Sequence, residues 1–168
     1  MHIPKCQNAY EISISEISDE IEFLTDHKLK YKIYVSPGRK IIPGFVFTSS
    51  IIYFGFYTKA NNIPADPKVL KTIINFLIDL LEDRDTIVAY IYSSGGNKHL
   101  VRERYFNTLF EKHSNGHLHK NTFDLGEDGK AVILFRADNI YLDEIQNLSA
   151  DEIIKRMEEK EKYDEFYS

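Results

Sequence analysis

A glycine turn followed by basic side chains is the stretch of the sequence best suited to chemistry, and that chemistry is anion binding. The turn reads S-S-G-G and is followed by N-K-H-L-V-R-E-R. Free backbone amides at the start of a helix attract anions, and an arginine can hold a carboxylate or a phosphate through two hydrogen bonds. The alternative is a plain tight turn, with Arg102 paired to a carboxylate of the core. Seven residues form the predicted ligand site: Ser93, Ser94, Gly95, Gly96, Lys98, Arg102 and Arg104.

Three histidines in the pattern H-x3-H-x-H are the weak candidates for a metal site: His113, His117 and His119. Three imidazoles could bind zinc if other groups oriented them. The residues between the first two, S-N-G, are typical of a loop joining a helix to a strand, which fixes no common face. We therefore expect surface histidines, and the sequence predicts neither a metal nor a cofactor.

A buried strand before the glycine turn and a helix after it must position these side chains. The run I-V-A-Y-I-Y at 87–92 leaves no polar face, which indicates an interior strand covered on both sides. From His99 the apolar spacing becomes helical. The apolar stripe consists of Val101, Tyr105, Phe106, Leu109 and Phe110, and Arg102 falls in its middle. A buried charge at that position costs several kcal/mol unless it is paired.

The remaining pattern predicts a single α/β domain of the α+β type over residues 1–168. Alternating hydrophobicity and turn residues indicate two hairpins, a further strand and two more helices. These segments are 20–35 for the first hairpin, the apolar run I-I-Y-F-G-F-Y within 45–57 for the strand, 67–81 for a helix, 117–136 for the second hairpin and 150–163 for the last helix. The predicted order is β-β-β-α-β-α-β-β-α, with a mostly antiparallel central sheet and helices on both faces. We expect an N-terminal arm (1–19), a core (20–148) and a peripheral C-terminal helix and tail (149–168). Gly55 predicts a bulge or bend in its strand.

The composition predicts a soluble cytoplasmic protein. The chain has 168 residues, 43% of them hydrophobic, and a net charge of −5, which makes nucleic acid an unlikely general partner. The single cysteine, Cys6, suits a reducing compartment. The first residues lack the pattern of a signal peptide, and no apolar run is long enough for a membrane span. Lys28, Lys30 and Lys32 give one small basic face, which is only a weak indication of nucleic-acid binding.

The predicted order of elements resembles the core of the GNAT acyltransferase fold. In acyltransferases of that kind, the strand before the first core helix ends in a Q/R-x-x-G-x-G/A loop, whose amides hold the pyrophosphate of coenzyme A. The corresponding stretch here, T-K-A-N-N-I-P-A-D-P-K at 58–68, has no glycine and brings Asp66 toward the phosphates. Asn97 and Tyr105 match that family's asparagine and tyrosine only loosely. The resemblance therefore implies the fold without the coenzyme A loop.

A second resemblance covers about residues 20–147. It is carried by F-x-T-D-x-x-L-x-Y at 23–31, P-A-D-P-K-V at 64–69, Y-I-Y-S-S-G-G at 90–96 and R-E-R-Y-F-N-T-L-F at 102–110. Together these segments resemble a small bacterial family known only as a domain of unknown function, with the pattern Y-I-C-D-S-x-D-G and then R-x-R-x-F-x-x-W-F. Here Tyr92-Ser93 replaces the Cys-Asp pair, a glycine replaces the second Asp, and Leu109 stands at the Trp. The resemblance implies no activity, and the missing acidic residues count against catalysis.

With no phosphate loop, no catalytic triad and no firm metal set, the sequence favours a non-catalytic binding or protein-interaction module on an acyltransferase-like scaffold. The first alternative is an atypical acyl-CoA-dependent N-acyltransferase, and the second is a nucleic-acid-acting enzyme or a component of a toxin system. The expected partner is an anionic small ligand or a protein that binds near Gly95, Gly96, Arg102 and Arg104. Whether the chain is an enzyme, and whether it forms a homo-oligomer, stays open.

Overall fold

The computed structural model describes residues 5–14, 20–40, 43–61, 63–92, 107–108, 110–112, 114–126 and 129–167. Within these ranges one sheet contains seven strands, in the order β1-β2-β3-β4-β5-β7-β6, and only β4 and β5 pair in parallel. The strands are β1 (Ser13–Ile14), β2 (Ile21–Leu24), β3 (Lys30–Pro37), β4 (Ile51–Thr58), β5 (Ile87–Tyr92), β6 (Leu118–Asp124) and β7 (Lys130–Arg136). The predicted fold class, a mostly antiparallel α+β sheet, is confirmed.

Helices lie on both faces of the sheet, as predicted. Helix α1 (Pro67–Leu80) covers one face, while α2 (Leu142–Gln146) and α3 (Ala150–Tyr167) cover part of the other. The described residues between 107 and 114 are also helical. Helix α1 begins as its sequence predicts, because Asp66 caps its free amides and the fixed backbone angle of Pro67 suits the first helical position.

Strands β5 and β7 form the buried centre of the sheet. Ile87, Val88 and Leu134 have no exposed surface, which confirms that the continuous apolar runs are interior strands. Alternate residues of these strands enter two hydrophobic cores. The first core lies under α1 and includes Val88 and Leu134, and the second lies under α2 and α3 and includes Ile87 and Ile133.

The β2–β3 hairpin is half covered. Phe23, Tyr31 and Ile33 are buried in the first core, as the alternating pattern predicts. The opposite side of β3 carries Lys30, Lys32 and Tyr34. Because a strand turns successive side chains to opposite faces, these three lie on the face of the sheet opposite α1.

Strand β4 begins at Ile51, as does the continuous apolar run that predicts it, and the residues just before it form a turn and a 3₁₀ helix (Thr48–Ser50). The backbone amide of Phe45 donates to the Thr48 hydroxyl at 2.9 Å, and such local bonds compete with strand pairing. Gly55 is not a bulge, because it pairs with Tyr34 in continuous register. The strand β1 and the helix α2 are additional, so the order is only roughly consistent with the acyltransferase resemblance.

Candidate functional site

The predicted ligand site follows the last residue of β5. All seven of its residues, Ser93, Ser94, Gly95, Gly96, Lys98, Arg102 and Arg104, lie outside the described residues. The strand that leads to them is described, and it is the interior strand that the sequence predicts. Ligands of α/β proteins bind preferentially beyond the carboxyl ends of such strands.

Strands β4 and β5 pair in parallel over only part of their length. Their parallel ladder joins Ile51–Tyr53 to Ile87–Ala89. Beyond it β4 continues to Thr58 in register with β3, and β5 continues to Tyr92 in register with β7. The parallel pairing of the two strands therefore ends at Tyr53 and Ala89, before either strand ends.

Tyr53 lies at the end of this parallel ladder. Its hydroxyl accepts a hydrogen bond from the backbone N–H of Ile91 and is hydrogen-bonded to Tyr34. Burial, followed by the Tyr34 contact, raises the pKa of Tyr53, which keeps its hydroxyl protonated and able to donate. The Tyr53 hydroxyl thus contacts the backbone of β5 beyond the end of the parallel ladder.

The amino end of α1, where an acyltransferase of the resembling type would hold phosphates, is occupied by a carboxylate. Asp66 Oδ1 accepts from the backbone N–H of Lys68 at 3.0 Å, and Tyr10 donates to Asp66 Oδ2 at 2.8 Å. Desolvation, together with the hydrogen bond to Asp66, raises the pKa of Tyr10 to about 12. Pro67 has no N–H to offer at the first helical position. The fixed negative charge of Asp66 repels a phosphate at this helix end.

The described histidines do not form a metal site. His113 lies outside the described residues, the ring of exposed His119 stacks on Phe135 at 5.6 Å, and His117 begins the approach to β6. Within the described part of the chain, no group of three histidine, cysteine, aspartate or glutamate side chains is arranged to bind a metal ion.

Two surfaces could not be recognised from the sequence as single sites. One is a cleft of about 430 Å³ between residues 44–47, α2 and α3, where Arg156 lies 5.5 Å from the Phe45 ring. The other is the open side of β3 and β4, where tyrosines lie beside lysines. The lysine alternation on β3 was visible in the sequence, but the tyrosines that β4 adds depend on the pairing register.

Among the described residues, none of the helices has the length and apolar character needed to cross a bilayer.

Comparisons with known proteins leave both sequence resemblances as hypotheses. A scan against protein-family models finds no match to this chain, and a search of curated proteins finds no relative.

Proposed function

We propose that the chain is a non-catalytic binding protein that holds an anionic group of a small ligand or a protein partner where β5 ends. The observation that carries this proposal is the end of the parallel β4–β5 ladder at Tyr53 and Ala89, short of the carboxyl ends of both strands. The carboxyl ends of parallel strands are the preferred ligand position in open sheets. The next residues in the chain are the glycine turn and the basic residues Lys98, Arg102 and Arg104.

The chemistry of these residues suits an anion. Glycines at positions 95 and 96 let the backbone approach a ligand closely, and two arginines can each form paired hydrogen bonds with a phosphate or a carboxylate. The sequence offers no motif for a catalytic triad, and no group of three metal-binding side chains lies within the described part of the chain. Binding without catalysis is therefore the function that the chemistry supports best.

An atypical acyltransferase is the second candidate, because the element order agrees roughly with that resemblance. The amino end of α1 weighs against it. The Asp66 carboxylate already accepts from the Lys68 amide and from Tyr10, so that end of the helix offers no free cradle for the pyrophosphate of coenzyme A.

Isothermal titration calorimetry of the whole chain tests the proposal, with inorganic pyrophosphate and acetyl-CoA as separate probes. We expect pyrophosphate to bind, and Arg102→Ala and Arg104→Ala each to weaken binding about tenfold or more, because each removes charge-assisted hydrogen bonds. The matched control is Arg84→Ala, which removes an arginine whose side chain is 61% exposed and which precedes the start of β5, at the other end of the strand from the turn.

The outcomes separate the two candidates. Loss of pyrophosphate binding in the two arginine variants but not in Arg84→Ala supports the proposal. Acetyl-CoA binding far tighter than pyrophosphate, together with acyl transfer to an amine, would establish the acyltransferase instead. No binding of pyrophosphate, or equal binding by all three variants, contradicts the proposal.

A further inference from the structure

The side of β3 and β4 that faces away from α1 forms a surface that we call the tyrosine–lysine face. It is defined by Tyr34, Tyr53, Tyr57, Lys28, Lys30, Lys32 and Lys59. Tyr34 and Tyr57 are 46% and 44% exposed, although β3 and β4, the strands that carry them, are inner strands of the sheet. In the described part of the chain, helices α2 and α3 pack over β5 and β7 and leave this side open.

Three aromatic rings adjoin one another on this face. The Tyr34 ring centroid lies 6.2 Å from that of Tyr53 and 6.5 Å from that of Tyr57. The Tyr34 ring passes over Gly55, where an added Cβ would come within 2.0 Å of the end of the ring. Because glycine leaves this space, Tyr34 lies across the backbone and presents ring surface to solvent.

Four lysines border the aromatic rings. Lys28, Lys30, Lys32 and Lys59 line, with Tyr57, a depression of about 180 Å³. Lys30 pairs with Glu22 and Lys32 with Glu20.

Lys28 and Lys59 have no carboxylate within ion-pair distance among the described residues. Four ammonium groups against two carboxylates give this face a positive charge, although the whole chain carries −5. The attraction for a polyanion is therefore local.

Exposed aromatic rings lie here beside lysines that have no carboxylate partner in the described ranges. This arrangement matches one kind of polymer, in which planar bases alternate with phosphates. Bases stack on aromatic side chains, and lysines neutralise phosphates. A duplex keeps its bases stacked internally, whereas a single strand can turn them outward. A second copy of this chain would instead bring a like-charged face into contact. We propose that the tyrosine–lysine face binds single-stranded nucleic acid, with bases on Tyr34 and Tyr57 and phosphates on Lys28 and Lys59.

Fluorescence anisotropy with labelled oligouridylate and oligothymidylate of about 12 nucleotides tests this proposal. The ribose and deoxyribose strands share the same chemistry and show whether the sugar matters. We expect saturable binding that weakens steeply as salt rises from about 50 to about 200 mM. A duplex of the same length should bind less tightly at every salt concentration.

Variants separate stacking from charge. Tyr57→Ala should weaken binding about fivefold or more, while Tyr57→Phe retains it, because stacking needs the ring and not the hydroxyl. Lys28→Ala and Lys59→Ala should each reduce the slope of log K against log salt by about 0.7. Lys155→Ala, which removes a 73% exposed lysine from α3, is the matched control and should leave the slope unchanged.

Three results would overturn the proposal: no saturable binding at the lowest salt, equal affinity for the duplex, or unchanged binding in both Tyr57→Ala and Lys59→Ala. Both side chains are exposed, so these variants should keep the melting temperature of the parent protein. The proposed anion site at the end of β5 is tested separately, by pyrophosphate binding to the Arg102→Ala and Arg104→Ala variants. A negative result with oligonucleotides therefore leaves that proposal unaffected.

Discussion

The hydroxyl of Tyr10 donates a hydrogen bond to the carboxylate of Asp66 at 2.8 Å, across a sequence separation of 56 residues. The same carboxylate caps α1. Lys68 lies with its ammonium group 4.0 Å from the centre of the Tyr10 ring and also binds Asp26 at 2.9 Å. The Asp66 carboxylate thus joins the N-terminal arm to the first turn of α1, and Lys68 joins that turn to the β2–β3 turn through Asp26.

Replacement of Asp66 by alanine should lower the free energy of unfolding by about 1–3 kcal/mol, because it removes the helix cap and the acceptor of the Tyr10 hydroxyl. Tyr10→Phe should cost less, about 0.5–1.5 kcal/mol, since the cap remains. Urea denaturation measures both values. Asp79→Ala, which removes an exposed carboxylate from the same helix, is the control and should change stability little. An Asp66→Ala variant as stable as this control would contradict the assigned role.

Gly55→Ala should displace the Tyr34 ring, because the new methyl group would lie within 2.0 Å of it. The end of a side chain can move, so we expect a loss of only about 1 kcal/mol. In a Tyr34→Ala background the same substitution should cost less, giving a coupling of about 0.5 kcal/mol or more in a double-mutant cycle. Equal costs in both backgrounds would show that the ring does not cover the glycine.

Tyr53→Phe should expose the backbone amide of Ile91 to exchange. The variant removes the acceptor that holds this N–H beyond the end of the parallel β4–β5 ladder, so hydrogen exchange at Ile91 should accelerate about three- to tenfold. Tyr57→Phe is the control, because Tyr57 lies on the same strand as Tyr53. This variant should leave the hydrogen exchange of the Ile91 amide unchanged. Unaltered exchange in Tyr53→Phe would mean that the amide is protected by another group.

The Arg136–Asp138 pair should make stability depend on pH in the acid range. Arg136 donates from Nε and Nη2 to the two oxygens of Asp138 at 2.7 and 2.9 Å, and these bonds lower the pKa of Asp138 from 3.8 to about 2. Because the folded-state pKa is depressed, the contribution is complete above the ordinary pKa and is lost as pH falls from 3.8 toward 2.

The comparison of the parent protein with Asp138→Asn by urea denaturation measures this contribution. The parent protein should be the more stable at neutral pH, and the difference should shrink as the pH falls through this range. Asp143→Asn, which removes an exposed carboxylate from α2, is the control. A difference between parent and Asp138→Asn that stays constant down to about pH 2 would contradict the assigned pairing.

Local sequence patterns predicted the positions of strands and helices, whereas contacts between residues far apart in the sequence were not predictable. Continuous apolar runs identify β5 and β7, and Asp66-Pro67 identifies the start of α1, because each signal lies within a few residues. The Tyr10–Asp66 contact and the tyrosine–lysine face depend on strand register and on how the arm folds back. Sequence alternation fixes which side a residue faces, but not its neighbour on another strand.

The error over Gly55 has the same origin. Gly55 was expected to bend its strand and instead accommodates a ring from β3. The glycine turn and its basic residues lie beyond the described part of β5, so the anion site stays a prediction.

The measurement that tests the central claim most directly is an NMR titration of the isotopically labelled whole chain with inorganic pyrophosphate. If an anion binds where β5 ends, the amide signals of Ser94, Gly95 and Gly96 shift in a saturable way, and Arg102→Ala abolishes those shifts. If these signals stay fixed while the probe is added to saturation, or if only residues of α3 respond, the proposed binding function is wrong.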